Sequence, residues 1–78
     1  MEYKGTVDPT VTHGQTGGLP TANVHNGDTY VTTAAYSETI SGTTYTYPAG
    51  SLVIAQGTET DGVIPAANIT WKFVDSSG

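Results

Sequence analysis

The chain has 78 residues, which is room for one domain with a thin hydrophobic core. It contains no cysteine, which excludes disulfides and thiolate zinc sites. Two basic residues against seven acidic ones argue against nucleic acid and anionic membrane surfaces as partners, because binding to both depends on Lys and Arg. No apolar run is long enough for membrane insertion.

Residue composition favours strands and turns. Fifteen threonines and five tyrosines suit a pleated, half-buried surface, and ten glycines with four prolines indicate many turns. No helical period extends over ten or more residues. We therefore predict an all-β fold, a small sandwich or open barrel of about five short antiparallel strands with long loops.

In the first half of the chain, residues 3–7 form the first predicted strand, and Pro9 follows its end. Residues 9–23 contain three glycines and predict a long loop without regular structure, with Leu19 packing against the core. The sequence Asn26-Gly27-Asp28 predicts a turn in which Asp28 is a turn residue rather than a ligand. The β-rich residues 29–33 form the second predicted strand.

In the second half, Ser41-Gly42 marks a break before residues 43–47, whose alternation puts Tyr45 and Tyr47 on one face of a strand. Residues 51–55 are nearly all apolar and predict a central strand buried on both faces. Residues 56–62 predict a loop, and residues 64–68 allow one short turn.

Residues 69–74 give the clearest strand signal, because apolar and polar side chains alternate strictly. This pattern places Ile69, Trp71 and Phe73 on one face. The predicted core combines these residues with the other large side chains of the strands and loops: Tyr3, Val7, Leu19, Tyr30, Tyr45, Leu52, Ile54, Ile64, Ile69, Trp71 and Phe73.

Five short stretches carry a family resemblance: YKGTV at residues 3–7, LPT at 19–21, NGDTYV at 26–31, GSLVIA at 50–55 and ITWKFV at 69–74. Together they resemble the small β modules of bacteriophage virion appendages, such as tail fibres, head fibres and related minor structural proteins. The likeness extends over nearly the whole chain. Ser51 departs from it, since the resemblance leads us to expect an acidic residue there. Serine can replace a residue that shapes a turn, but it removes a ligand if the position binds an ion.

The resemblance implies a structural module of a fibre, located in the virion and commonly assembled as a homotrimer. Its partners would be further copies of itself, other virion proteins and, at the host surface, a glycan. We expect residues 1–78 to form a single β module. The polar end Asp75-Ser76-Ser77-Gly78 is typical of a linker, so we also expect a piece of a longer fibre-like protein.

Four residues are candidates for facing a ligand. Tyr36 and Tyr47 are the tyrosines expected to be exposed, and aromatic rings beside neutral polar groups suit sugar recognition. A carbohydrate-binding module of a virion or secreted protein is therefore the alternative function. Glu59 and Asp61 share a glycine-bounded loop whose oxygens suit calcium, but the loop lacks the spacing of a hand-type site, which favours a solvated acidic loop. We predict no metal site and no cofactor.

The sequence supplies little for catalysis. His13 and His25 lie in predicted loops without a second histidine at ligand spacing. The carboxylates of Asp28, Glu38, Glu59 and Asp61 would pair as an acid and a base only if the fold brought them together. There is no nucleophile elbow, and the glycine-rich residues 14–18 lack the lysine of a phosphate-binding loop. We predict that the protein is not an enzyme.

Overall fold

A computed structural model describes residues 2–75, and its regular structure consists of short strands and one turn of 3₁₀ helix. The strands are β1 (Glu2–Val7), β2 (Asp28–Thr32), β3 (Tyr36–Ile40), β4 (Thr43–Tyr47), β5 (Leu52–Gln56) and β6 (Thr70–Val74), and the 3₁₀ turn is Ala66–Asn68. The predicted all-β fold is confirmed, with six strands rather than five. The predicted linker residues 76–78 lie outside the described residues.

Four strands form one sheet in the order β1-β2-β5-β6, so β5 is a central strand as predicted. β5 pairs with both neighbours antiparallel, but β1 and β2 are parallel, which the prediction of antiparallel strands missed. Residues 8–27 provide the long connection that a parallel pair requires. As a result, β1 and β6 lie at opposite edges of the sheet and run in the same direction.

The remaining two strands form the hairpin β3–β4. Ser41 and Gly42 connect them with φ angles of 52° and 83°, the conformation of the tight two-residue turn that suits the twist of a hairpin. The predicted break at these residues is therefore a turn, and the strand before it was missed. Hydroxyl pairs on the outer face join the strands, with Ser37 to Thr46 at 3.1 Å and Thr39 to Thr44 at 3.0 Å.

One face of the four-stranded sheet is covered by loops, and we call it the covered face. Val7 and Val53 pack there against Leu19, and Ala55 packs against Val24 and Ile64. The predicted burial of Val7, Leu19 and Ile64 is confirmed, and Leu19 does anchor the loop of residues 9–23. Val24 is a fully buried residue that the prediction missed.

The predicted core is wrong for Tyr3 and Tyr45, which are 63% and 46% exposed. Tyr3 lies on the edge strand β1, and Tyr45 lies on the hairpin, away from both clusters of buried residues. Leu52 and Ile54 are only half-buried, while their neighbours Val53 and Ala55 are fully buried. β5 is therefore fully buried on one face only, because the loops cover one side of the sheet.

The aromatic residues of the covered face are half-buried rather than fully buried. Tyr30, Trp71 and Phe73 pack against the cluster that contains Leu19, and Ile69 packs against the cluster that contains Ile64. The predicted common face of Ile69, Trp71 and Phe73 is consistent with this packing. These rings therefore border the core without being enclosed by it.

Two buried polar residues, Asp28 and Ser51, shape the turns before β2 and β5. Asp28 is 3% exposed, and its carboxylate accepts a 2.9 Å hydrogen bond from the backbone N–H of His25, which confirms its prediction as a turn residue. Ser51 is fully buried, and its hydroxyl donates to the carbonyl oxygen of Pro48 at 2.7 Å. Serine at position 51 thus supports the turn before β5.

Candidate functional site

The candidate site is a groove along the outer edge of β6, the last strand of the four-stranded sheet. Glu38, Ile40 and Tyr47 of the hairpin form one wall, and residues 70–73 of β6 with Gln56 of β5 form the other. The groove encloses about 340 Å³. This volume lies at the lower end of the range for small-molecule sites.

Aromatic stacking holds the two walls together. The ring of Phe73 stacks on Tyr36 with centroids 4.6 Å apart and on Tyr47 with centroids 5.3 Å apart. Tyr36 and Tyr47 are cross-strand neighbours in the hairpin, so both rings leave from one face of it. Within the four-stranded sheet, the ring of Trp71 contacts the ring of Tyr30 edge-on, with the centroids 5.9 Å apart. Packing therefore fixes the rings that line the groove.

A hydrogen bond inside the hairpin wall orients its polar groups. The hydroxyl of Tyr47 donates to Oε1 of Glu38 at 2.8 Å. This hydrogen bond, followed by desolvation and the nearby negative charge, raises the pKa of the Tyr47 phenol above its ordinary value. Tyr47 therefore stays protonated and orients the Glu38 carboxylate, which lines the groove.

The other polar side chains of the groove are accessible. Gln56, Thr70 and Lys72 are all exposed. The apolar side chain of Ile40, at the hairpin tip, is also 53% exposed. The groove thus offers an amide, a hydroxyl, an ammonium and a carboxylate around aromatic rings. One negative and one positive side chain leave it without net charge.

Two of the four predicted ligand-facing residues come together in the structure. Tyr36 and Tyr47 both contact Phe73, and Tyr47 lines the groove. Their expected exposure is wrong, because stacking on Phe73 leaves both half-buried. Glu59 and Asp61 are exposed but are not among the groove residues.

Glu59 has a structural role in another part of the chain. Its carboxylate accepts a 2.8 Å hydrogen bond from the backbone N–H of Asn26, and Oδ1 of Asn26 accepts one from the backbone N–H of Gly57 at 3.1 Å. These bonds connect the acidic loop to the turn before β2. Asp61 occupies the left-handed region with φ of 55°, in the turn closed by the bridge between Thr60 and Val63.

The structure brings few metal ligands together. Within residues 2–75, no three His, Asp or Glu side chains cluster in a way that would hold a metal ion. His13 and His25 are exposed, and Nδ1 of His25 lies 3.6 Å from Oδ2 of Asp28. No helix in this part of the chain is long and apolar enough to cross a membrane.

A second surface feature lies on the other side of the four-stranded sheet, which we call the open face. Val31, Leu52 and Val74 are cross-strand neighbours and form an apolar row over three adjacent strands. Ile54 stands beside them in the next row, opposite Lys72. All four apolar side chains are half-buried. Both clusters of buried residues draw their sheet members from the covered face instead.

Sequence reasoning missed most of the groove. Glu38 was considered only as one of several carboxylates, and Ile40, Gln56 and Lys72 were not singled out. The alternation of Tyr36, Glu38 and Ile40 with hydroxyl residues, followed by Ser41-Gly42 and a mirrored tyrosine pattern, was the available signal for this hairpin. Interpreted as a hairpin, this pattern would have placed Tyr36 opposite Tyr47 and Glu38 opposite Tyr45, with Tyr47 as the diagonal neighbour of Glu38.

The fold and the groove define a small β domain of two sheets joined through stacked rings. Comparison with known protein families, with curated proteins and with solved structures gave no match.

Proposed function

We propose that the chain is a structural module of a phage fibre or related virion appendage, and that it assembles as a homotrimer through the open face. The stretches that resemble such modules support this proposal. Four of the five contribute β1, β2, β5 and β6, and the fifth contains Leu19, which packs beneath the same sheet. The five stretches therefore belong to one contiguous unit, and none of them lies in the hairpin.

The observation that carries the proposal is the apolar row of Val31, Leu52 and Val74 on the open face. A half-exposed aliphatic row across three strands costs solvation free energy in a monomer, and contact with another surface recovers it. Small domains with thin cores commonly gain stability by oligomerisation. The row thus suits an interface.

A second copy of the chain is the best-matched occupant. Lys72 is the single charged residue on the open face of β2, β5 and β6, so copies with a net charge of −5 can approach there with little repulsion. The centres of protein–protein interfaces are likewise poor in charged residues, so the composition of the open face resembles that of an interface. Cyclic symmetry brings the same row from each copy to one axis and closes the assembly.

Sedimentation velocity of the purified chain tests this assembly. We expect a trimer for the wild-type chain and a monomer for Leu52→Glu, because the new carboxylates would be desolvated at the centre of the interface. Thr44→Glu is the matched control, since Thr44 is exposed on the hairpin and should leave the trimer intact. Circular dichroism checks that both variants keep the strand signal.

A wild-type monomer, or a Leu52→Glu variant that remains trimeric, would contradict the proposed interface.

The virion location has a separate test. Mass spectrometry of purified particles from cells that carry the encoding genome should detect the chain at a constant ratio to other structural proteins. Its absence from particles would overturn the assignment to a virion appendage.

A further inference from the structure

We propose that the groove along β6 binds a short, uncharged oligosaccharide. This proposal goes beyond the structural role and has its own test, because none of the groove residues belongs to the apolar row of Val31, Leu52 and Val74, although Lys72 lines the groove and also lies on the open face. It assigns a recognition role to the hairpin, which contains none of the five stretches that resemble fibre modules.

The aromatic lining is the first reason. Tyr47, Phe73 and Trp71 all line the groove. Sugar rings present C–H faces that pack on aromatic rings, while their hydroxyls remain available for hydrogen bonds. Stacking between Phe73 and Tyr47, and the edge contact between Trp71 and Tyr30, hold these rings in place before a ligand arrives. Such preorganisation lowers the entropic cost of binding.

The polar groups are the second reason, because they provide both donors and acceptors. Glu38 uses one oxygen to hold Tyr47, and a carboxylate retains further lone pairs for a sugar hydroxyl. The side chains of Gln56 and Thr70 can donate and accept hydrogen bonds, and the ammonium of Lys72 donates them. Since a sugar hydroxyl also does both, this mixture is better matched to a polyol than to a ligand with only acceptors.

The charge balance selects an uncharged ligand. Glu38 and Lys72 contribute opposite charges to the groove, within a chain of net charge −5. A phosphate or an acidic sugar would approach against the overall field of the protein and would meet a carboxylate in the site. A hexose or N-acetylhexosamine oligomer meets neither penalty.

The experiment begins with the folded full chain on an array of neutral hexose and N-acetylhexosamine oligosaccharides. The best ligand is then titrated by NMR, with Glu38→Gln and Gln56→Ala as the groove variants. We expect each variant to weaken binding about tenfold, the effect of losing one good hydrogen bond to the ligand. Thr46→Ala is the matched control, because Thr46 lies on the outer hydroxyl face of the hairpin and should not change the affinity.

Three results would overturn the inference: no binding on the array, binding that both groove variants leave unchanged, or chemical-shift changes that avoid residues 70–73. A peptide that adds to the free edge of β6 through backbone pairing would also contradict it, and insensitivity to Gln56→Ala would reveal that mode. The outcome is distinguishable from failure of the proposed trimer, since Leu52→Glu tests assembly without altering a groove residue.

Discussion

In the four-stranded sheet, Val53 and Ala55 lie fully buried beneath loops, whereas no residue of the hairpin β3–β4 is fully buried. The hairpin contacts the sheet through Tyr36 and Tyr47 on the ring of Phe73. Burial of aliphatic side chains stabilises the first region. Cross-strand pairs, a tight turn and two ring stacks stabilise the second. An isolated hairpin is marginal in water, so we expect β3–β4 to open while the sheet remains folded.

The largest expected effect is in the sheet. Leu19→Ala removes a side chain that is 1% exposed and packs against Val7 and Val53, so we expect it to lower the free energy of unfolding by about 2–5 kcal/mol. Ile40→Ala, at an exposed position of the hairpin, should change it by less than about 0.5 kcal/mol. Urea unfolding measures both values. Equal losses would show that burial does not separate the two regions.

The next prediction distinguishes the sheet from the hairpin by where hydrogen exchange accelerates, rather than by how much stability is lost. Gly42→Ala puts a side chain at φ of 83°, which costs about 1–2 kcal/mol, and we expect hydrogen exchange to accelerate in β3 and β4 only. Gly57→Ala is the comparison, because its Cβ would lie 2.7 Å from the carbonyl oxygen of Asn68. That variant should accelerate exchange in the sheet. Uniform acceleration by Gly42→Ala would mean that both regions unfold together.

A smaller effect depends on pH. Because the pKa of the Tyr47 phenol is raised in the folded chain, its stabilising contribution is complete below the ordinary tyrosine pKa and is lost as pH rises through the folded value. We expect the hairpin to loosen in that alkaline range, when the phenolate can no longer donate to Glu38. Tyr47→Phe should remove this part of the pH dependence. Thermal melts of both proteins at increasing pH measure it.

The smallest effect is a gain in stability. Ser41 adopts a left-handed conformation with φ of 52° at the first turn position, where asparagine is strongly preferred. Ser41→Asn should therefore stabilise the hairpin by about 0.5 kcal/mol. Slower hydrogen exchange of the β4 amides is the expected sign. Unchanged exchange would indicate that the turn does not limit the opening of the hairpin.

The same contrast explains which elements the sequence predicted. β5 was recognised as a nearly continuous apolar run and β6 by its strict apolar–polar alternation, because both strands contribute large apolar side chains to the core. β3 was missed because its stability comes from a partner strand rather than from burial, and its apolar content is low. The predicted central strand was correct in position, but its pattern could not say that loops cover only the side of Val53 and Ala55.

The candidate site was less accessible to sequence reasoning. Tyr36 and Tyr47 were identified as aromatic residues outside the core, but their stacking on Phe73 is a tertiary contact between distant stretches. Glu59 was a candidate ligand on residue type alone, and its bond to the backbone of Asn26 could not be read from spacing. The groove forms where the hairpin meets β6, so its lining depends on a docking angle that no local pattern encodes.

The direction of the outer strands has a mechanical consequence. β1 and β6 run the same way at opposite edges of the sheet, so tension between the start of β1 and the end of β6 acts parallel to the strands. Hydrogen bonds between strands then carry the load in shear, many at once, instead of being unzipped one after another. Such a geometry suits a polypeptide that must transmit force lengthwise without coming apart.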